Sequence, residues 1–132
     1  MSWQGYVQNH LVGTSGGRIS KAAIVGKQGG VWDAANLTLK PEEEKYITKC
    51  FDDVAVTQGS GLKLGDTKYF FVNADTDDKT KKLMFFRKGN DGVVLILIKT
   101  ACIVVATYNA PHTVSEATIP TEKFADFLAG YV

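Results

Sequence analysis

Apolar residues recur at helical spacing at both ends of the chain and in short strand-length runs between them. Ser2, followed by Trp3, Tyr6, Val7, His10 and Leu11, predicts a helix with Ser2 as N-cap. The breaker cluster Gly13-Thr14-Ser15-Gly16-Gly17 should stop it near Gly13. Ala22 to Val25 and Val31 to Ala34 read as two strands joined by the turn Gly26-Lys27-Gln28-Gly29-Gly30. Lys40-Pro41-Glu42-Glu43-Glu44 opens a second helix, since proline suits a first turn and acids suit the positive end of the helix dipole. Its apolar face would be Ile47, Cys50, Phe51 and Val54, and Gly59-Ser60-Gly61 closes that region.

Five strand-like segments follow: Leu62 to Leu64, Tyr69 to Val72, Leu83 to Phe86, Val93 to Ile98 and Ile103 to Tyr108. Short turns between successive strands imply an antiparallel meander. Val93 to Ile98 is apolar at every position, which predicts a central strand covered on both faces. The last segment, Thr121 to Tyr131, is helical, with Phe124, Phe127, Leu128 and Tyr131 at helical spacing. The fold class expected is therefore α+β. A central antiparallel sheet of about six to seven strands would carry the N- and C-terminal helices on one face and the Pro41 helix on the other.

Composition narrows the function. The 132 residues suit one domain, 1–132, and the formal net charge of +1 gives no global argument for nucleic acid or membrane. Two cysteines, Cys50 and Cys102, are too few for a disulfide scaffold and read as buried free thiols. The N-terminus lacks the apolar run of a leader, and Val93 to Ile98 is far short of a membrane span, so a cytoplasmic location is expected.

Little chemistry converges. The histidines are His10 and His112, and neither they nor the cysteines show the short ligand spacings of a zinc site. Gly13 to Gly17 with Arg18 lacks the glycine-lysine-serine/threonine ending of a phosphate loop and follows a helix rather than a strand. The expectation is no cofactor, no metal and no enzyme. The aromatics say more. Trp3 and Tyr6 are three apart and share a helical face, which fits the core and a binding surface about equally. Trp32, Phe127 and Tyr131 could join them in one patch if the terminal helices pack together. Such a patch suits a proline-rich ligand, whose rings pack between aromatic rings while its carbonyls take indole and phenol donors. Lys79, Lys81, Lys82, Arg87 and Lys88 form a basic strand edge, suited to an acidic partner or to protection of a sheet edge.

Ser2-Trp3-Gln4-Gly5-Tyr6-Val7-Gln8 resembles the N-terminal signature of profilin. Ala22-Ala23-Ile24-Val25-Gly26 followed by Gly29-Gly30-Val31-Trp32 resembles the family's first hairpin, and Gly89-Asn90-Asp91-Gly92-Val93 a turn in its later strands. Thr107-Tyr108-Asn109 and Lys123 to Leu128 resemble its last strand and C-terminal helix, so the resemblance spans the chain. It implies a cytoskeletal protein that binds monomeric actin and, at a separate site, proline-rich proteins such as formin-like assembly factors. The proline-rich site would be Trp3, Tyr6, Trp32 and Phe127, with Asn9 as a polar contact. Phe127 stands where the family often has tyrosine or histidine, so one hydrogen bond is missing, and Tyr131 is the candidate to supply it. The actin face would include Lys81, Lys82, Phe86, Arg87, Lys88, Thr113, Thr118 and Lys123, and the same cations imply phosphoinositide binding. Asn73 to Lys82 reads as a longer turn than in short-chain relatives. The other functions weighed are a non-actin interaction or trafficking scaffold of similar architecture and a small enzyme with a cryptic site.

Overall fold

Seven antiparallel strands form the sheet of the computed structural model, which describes residues 5–13, 15–65, 67–78, 80–110 and 112–130. The strands are β1 (Lys21–Gly26), β2 (Val31–Ala35), β3 (Leu62–Leu64), β4 (Thr67–Asp75), β5 (Lys81–Lys88), β6 (Asp91–Ile98) and β7 (Cys102–Tyr108). Their order is β2-β1-β7-β6-β5-β4-β3. The meander β3 to β7 is as expected, and β1 pairs with β7 in register Ala22 to Ala106 and Ile24 to Val104. β6 occupies the middle of the sheet, and Val93 to Ile98 is buried throughout. That is why this strand carries no alternation: both of its faces are covered.

On one face lie the N-terminal helix and α3 (Val114–Ala129). Val7, Leu11, Ala117, Phe124 and Leu128 pack there with Ile24, Ile96 and Val104. On the other lie α1 (Pro41–Lys49) and α2 (Val54–Ser60), where Ile47, Cys50 and Phe51 meet Met84, Phe86, Leu95 and Val105. Cys50 and Cys102 are free and buried, one in each cluster. Burial pushes their thiols up to about 12 and about 11.

Four elements differ from expectation. The N-terminal helix does not run through Gly5, which has φ 84, a left-handed conformation foreign to a right-handed helix. The helix begins at Tyr6 and widens into a π-turn over Gln8–Val12, where Gly13 N–H donates to Gln8 O at 2.7 Å. The expected Ser2 cap lies outside the described residues. The Pro41 helix is two helices: it ends at Lys49, and Asp53 starts α2 by accepting from Val56 N–H. The turn expected over Asn73 to Lys82 is shorter, because β4 continues to Asp75 past a bulge at Val72 and β5 starts at Lys81. Finally, α3 begins at Val114, ahead of Pro120. A capping box starts it: Thr113 Oγ1 accepts from Glu116 N–H while the Glu116 carboxylate accepts from Thr113 N–H.

Candidate functional site: two surfaces on the α3 face of the sheet

The first surface gathers aromatic rings from both ends of the chain. Val7 N–H donates to the Asp33 carboxylate at 2.9 Å, which ties the start of the N-terminal helix to β2 beside Trp32. Val7 and Leu11 are fully buried, so the neighbouring row Tyr6 and His10 turns sideways toward α3. Tyr6 meets Phe127 with centroids 6.0 Å apart, and His10 stacks on Phe127 at 5.5 Å and 28°. Tyr6 and His10 lie 5.1 Å apart, so the three rings form a closed group. Trp32 is half-buried against the same core cluster. Its indole lies over Gly26, where a Cβ would come within 2.6 Å of Nε1; only glycine leaves that room. Asn9 is exposed on the same helix. Trp3 and Tyr131 lie outside the described residues. His10 enters the sequence reading as a position of the N-terminal helix, with a metal role set aside. Its i, i+4 relation to Tyr6 was the available signal for a ring contact.

The second surface runs along β4, β5 and the first half of α3. Phe70 is 62% exposed, Val72 56% and Ile119 57%, and Val114 is exposed too. The Val72 bulge shifts the β4 register, so that Asn73 pairs with Phe85 while Phe71 pairs with Phe86. Val72, Phe85, Val114, Thr118 and Ile119 then line one apolar depression. A neighbouring cleft of about 580 Å³ shares Val72, Phe85 and Val114 and adds Arg87, Tyr108 and His112. Burial raises the Tyr108 phenol above its ordinary value of 10.0, partly offset by Arg87, so Tyr108 stays a neutral donor beside Arg87.

The residues expected at an actin face divide. Arg87, Thr113 and Thr118 do line this region, Thr113 as the α3 cap and Thr118 with its hydroxyl on Val114 O. Phe86 borders the neighbouring cleft, but its side chain is 1% exposed and packs edge-on to Phe71 at 5.8 Å in the core cluster on the opposite face. Side chains alternate along β5, so Lys82 and Lys88 share the Phe86 face while Lys81 and Arg87 share the α3 face. Lys81 is held by Asp126 at 3.2 Å and Glu122 at 3.8 Å on α3. Lys123 lines a different depression, beside His10 and Phe127. β5 lies between β4 and β6, so its cations protect no sheet edge. Phe70, Val72, Phe85, Val114 and Ile119 escaped the sequence reading because each sits in an ordinary amphipathic element. Among the described residues, no group of three or more His, Cys, Asp or Glu side chains is placed to hold a metal. No described helix is long and apolar enough to cross a membrane.

A family model for profilin matches residues 1–131. The chain belongs to the profilin family. It is 39% identical over 129 residues to profilin-A of Physarum polycephalum, covering 97% of this chain and 96% of that protein. Among solved structures, profilin II of Acanthamoeba castellanii is similar at TM-score 0.84 and 30% identity, covering 98% of each chain. Two more distant structures share the profilin fold: mouse profilin IIa, solved with a double repeat from an FH1 domain, at TM-score 0.70 and 18% identity over 95% and 97% of the two chains; and LokiProfilin1, solved with rabbit actin, at 0.72 and 16% over 96% and 94%.

Proposed function

We propose that this profilin binds monomeric actin through the β4–β5–α3 surface and proline-rich peptides through the ring cluster of Tyr6, His10, Trp32 and Phe127. The observation that carries the reading is the contact of Tyr6 and His10 with Phe127, which joins the two chain ends into one aromatic face. A left-handed proline helix presents rings to such a face and leaves its carbonyls for indole and phenol donors. Trp3, Asn9 and Tyr131 are assigned to the same proline-rich site, as the family resemblance implies. The family supports both partners, and the two complexes named above show what related folds can hold. Cytoplasmic and cytoskeletal placement follows from the actin partner.

The actin surface is read as apolar with a basic margin. Phe70, Val72 and Ile119 supply desolvated area, and Arg87 with Thr118 supply polar register. Phosphoinositide binding by the β5 cations gains less support, because they are split between two faces and Lys81 is neutralised by α3. The physical value of the design is bivalence: one unit, 1–132, holds actin while a proline-rich assembly factor holds the unit. Poly-proline affinity chromatography of the wild type beside Trp3→Ala, with titration of monomeric actin by both, tests it. Wild type should be retained and Trp3→Ala should flow through, with actin binding intact. Loss of both activities in a folded Trp3→Ala variant would refute the two-surface reading.

A further inference from the structure

Beside the ring cluster lies a cavity of about 350 Å³ whose lining includes His10, Ser15, Arg18, Lys123 and Phe127. His10 and Phe127 therefore border both the ring cluster and this cavity. The cavity is basic. Arg18 is presented by the glycine-rich loop, where Gly16 and Gly17 have φ 66 and 85. It meets one carboxylate, Glu116, only at 3.9 Å. That carboxylate is already engaged by Thr113 and by His112 at 3.6 Å. Lys123 makes no ion pair among the described residues. The neighbouring acids of α3, Glu122 and Asp126, are turned to Lys81. Two weakly compensated cations and an imidazole thus border a hollow contiguous with the rings.

We propose that this cavity is a subsite for a phosphorylated serine or threonine that flanks the proline-rich ligand. A phosphate carries nearly two charges and three acceptor oxygens, which match a guanidinium and an ammonium lining one cavity. A proline helix advances about 3 Å per residue, so the phosphorylated residue would lie within roughly two residues of the last stacked proline. Phosphorylation of the partner would then strengthen its capture. The inference rests on the reading of the ring cluster as a proline-rich site.

The test titrates the intact protein with decaproline and with decaproline carrying a serine or phosphoserine at either end, at low salt, following tryptophan fluorescence. One of the two phosphopeptides should bind about fivefold tighter than its unphosphorylated twin, an advantage that falls with added salt. Arg18→Gln with Lys123→Gln should bind that phosphopeptide and its twin alike, whereas Arg18→Lys should keep part of the preference. Failure of decaproline itself to bind would overturn the underlying reading. Decaproline binding without a phosphate preference, or a preference that survives the double variant, would overturn the subsite alone. Phosphatidylcholine vesicles with and without phosphatidylinositol bisphosphate form a last arm. Vesicle binding lost in the double variant, with no peptide preference, would assign the cavity to lipid and refute the peptide.

Discussion

The two candidate surfaces share α3 yet are built in opposite ways. The aromatic surface draws Tyr6 and His10, Trp32 and Phe127 from three distant segments: a hydrogen bond from Val7 N–H to Asp33 ties the N-terminal helix to β2, and Tyr6 and His10 pack on Phe127 of α3. The apolar surface comes from adjacent strands and the first turns of α3, where the bulge at Val72 sets which side chains face outward. The first depends on long-range placement of conspicuous residues. The second depends on local register of unremarkable ones. A single substitution should therefore disable either surface without the other.

The largest effect is expected from placing a charge in the apolar surface. Val72→Asp should weaken actin binding by about 30-fold or more, because a carboxylate would be desolvated in an apolar contact. Retention on poly-proline should not change. Titration of monomeric actin and poly-proline chromatography of the same variant read both. Equal loss at both surfaces would show that they are one. The converse variant, Phe127→Ala, removes the α3 ring on which Tyr6 and His10 both pack. Proline-rich peptide affinity should fall about tenfold with actin affinity kept.

A smaller and mixed effect is expected at Gly26. Alanine there would press its Cβ against Trp32 Nε1 and Gly29 O, at 2.6 and 3.0 Å. The indole must move or the hairpin must open, at a cost of about 1–3 kcal/mol. Gly26→Ala should lower both thermal stability and peptide affinity, and leave actin affinity unaltered once the protein is folded. An unchanged peptide affinity would show that Trp32 is not held in place by this glycine.

The sheet was legible because its signal is one of residue type and run length. Val93 to Ile98 could only be a strand covered twice, and β6 is that strand. The helices were less legible because backbone chemistry decided them. Gly5 takes a positive φ that helical spacing cannot reveal, Asp53 caps a helix inside what reads as one continuous apolar face, and the Thr113–Glu116 box starts α3 ahead of Pro120. The same contrast holds for the sites. Tyr6, Trp32 and Phe127 announce themselves as aromatics. Which side chains of β5 face α3 is settled only by its pairing with β4 and β6, which turns Phe86 inward and Arg87 toward α3. Val72 could not be found without the bulge.

The smallest effect concerns α3 itself, whose first half carries the apolar surface and whose second half carries Phe127. Glu116 closes the capping box at its start. The hydrogen bond from Thr113 N–H, aided by His112, holds its carboxyl below the ordinary value of 4.5. A depressed folded-state value means that the stabilisation is present above 4.5 and is lost as pH falls through the folded value. Glu116→Gln keeps an acceptor for the cap but does not titrate. The wild type should therefore melt at a higher temperature than this variant at neutral pH, where the charge suits the helix N-terminus. The gap should close as pH falls below 4.5. Amide exchange should show the first turn of α3, next to Val114 and Thr118, losing protection on acidification while the turn around Phe127 keeps it. A melting-temperature gap that stays constant across that range would remove Glu116 as the proton-sensitive element. Simultaneous loss of protection at both ends would mean that α3 opens as a unit, and that acid does not separate the two surfaces.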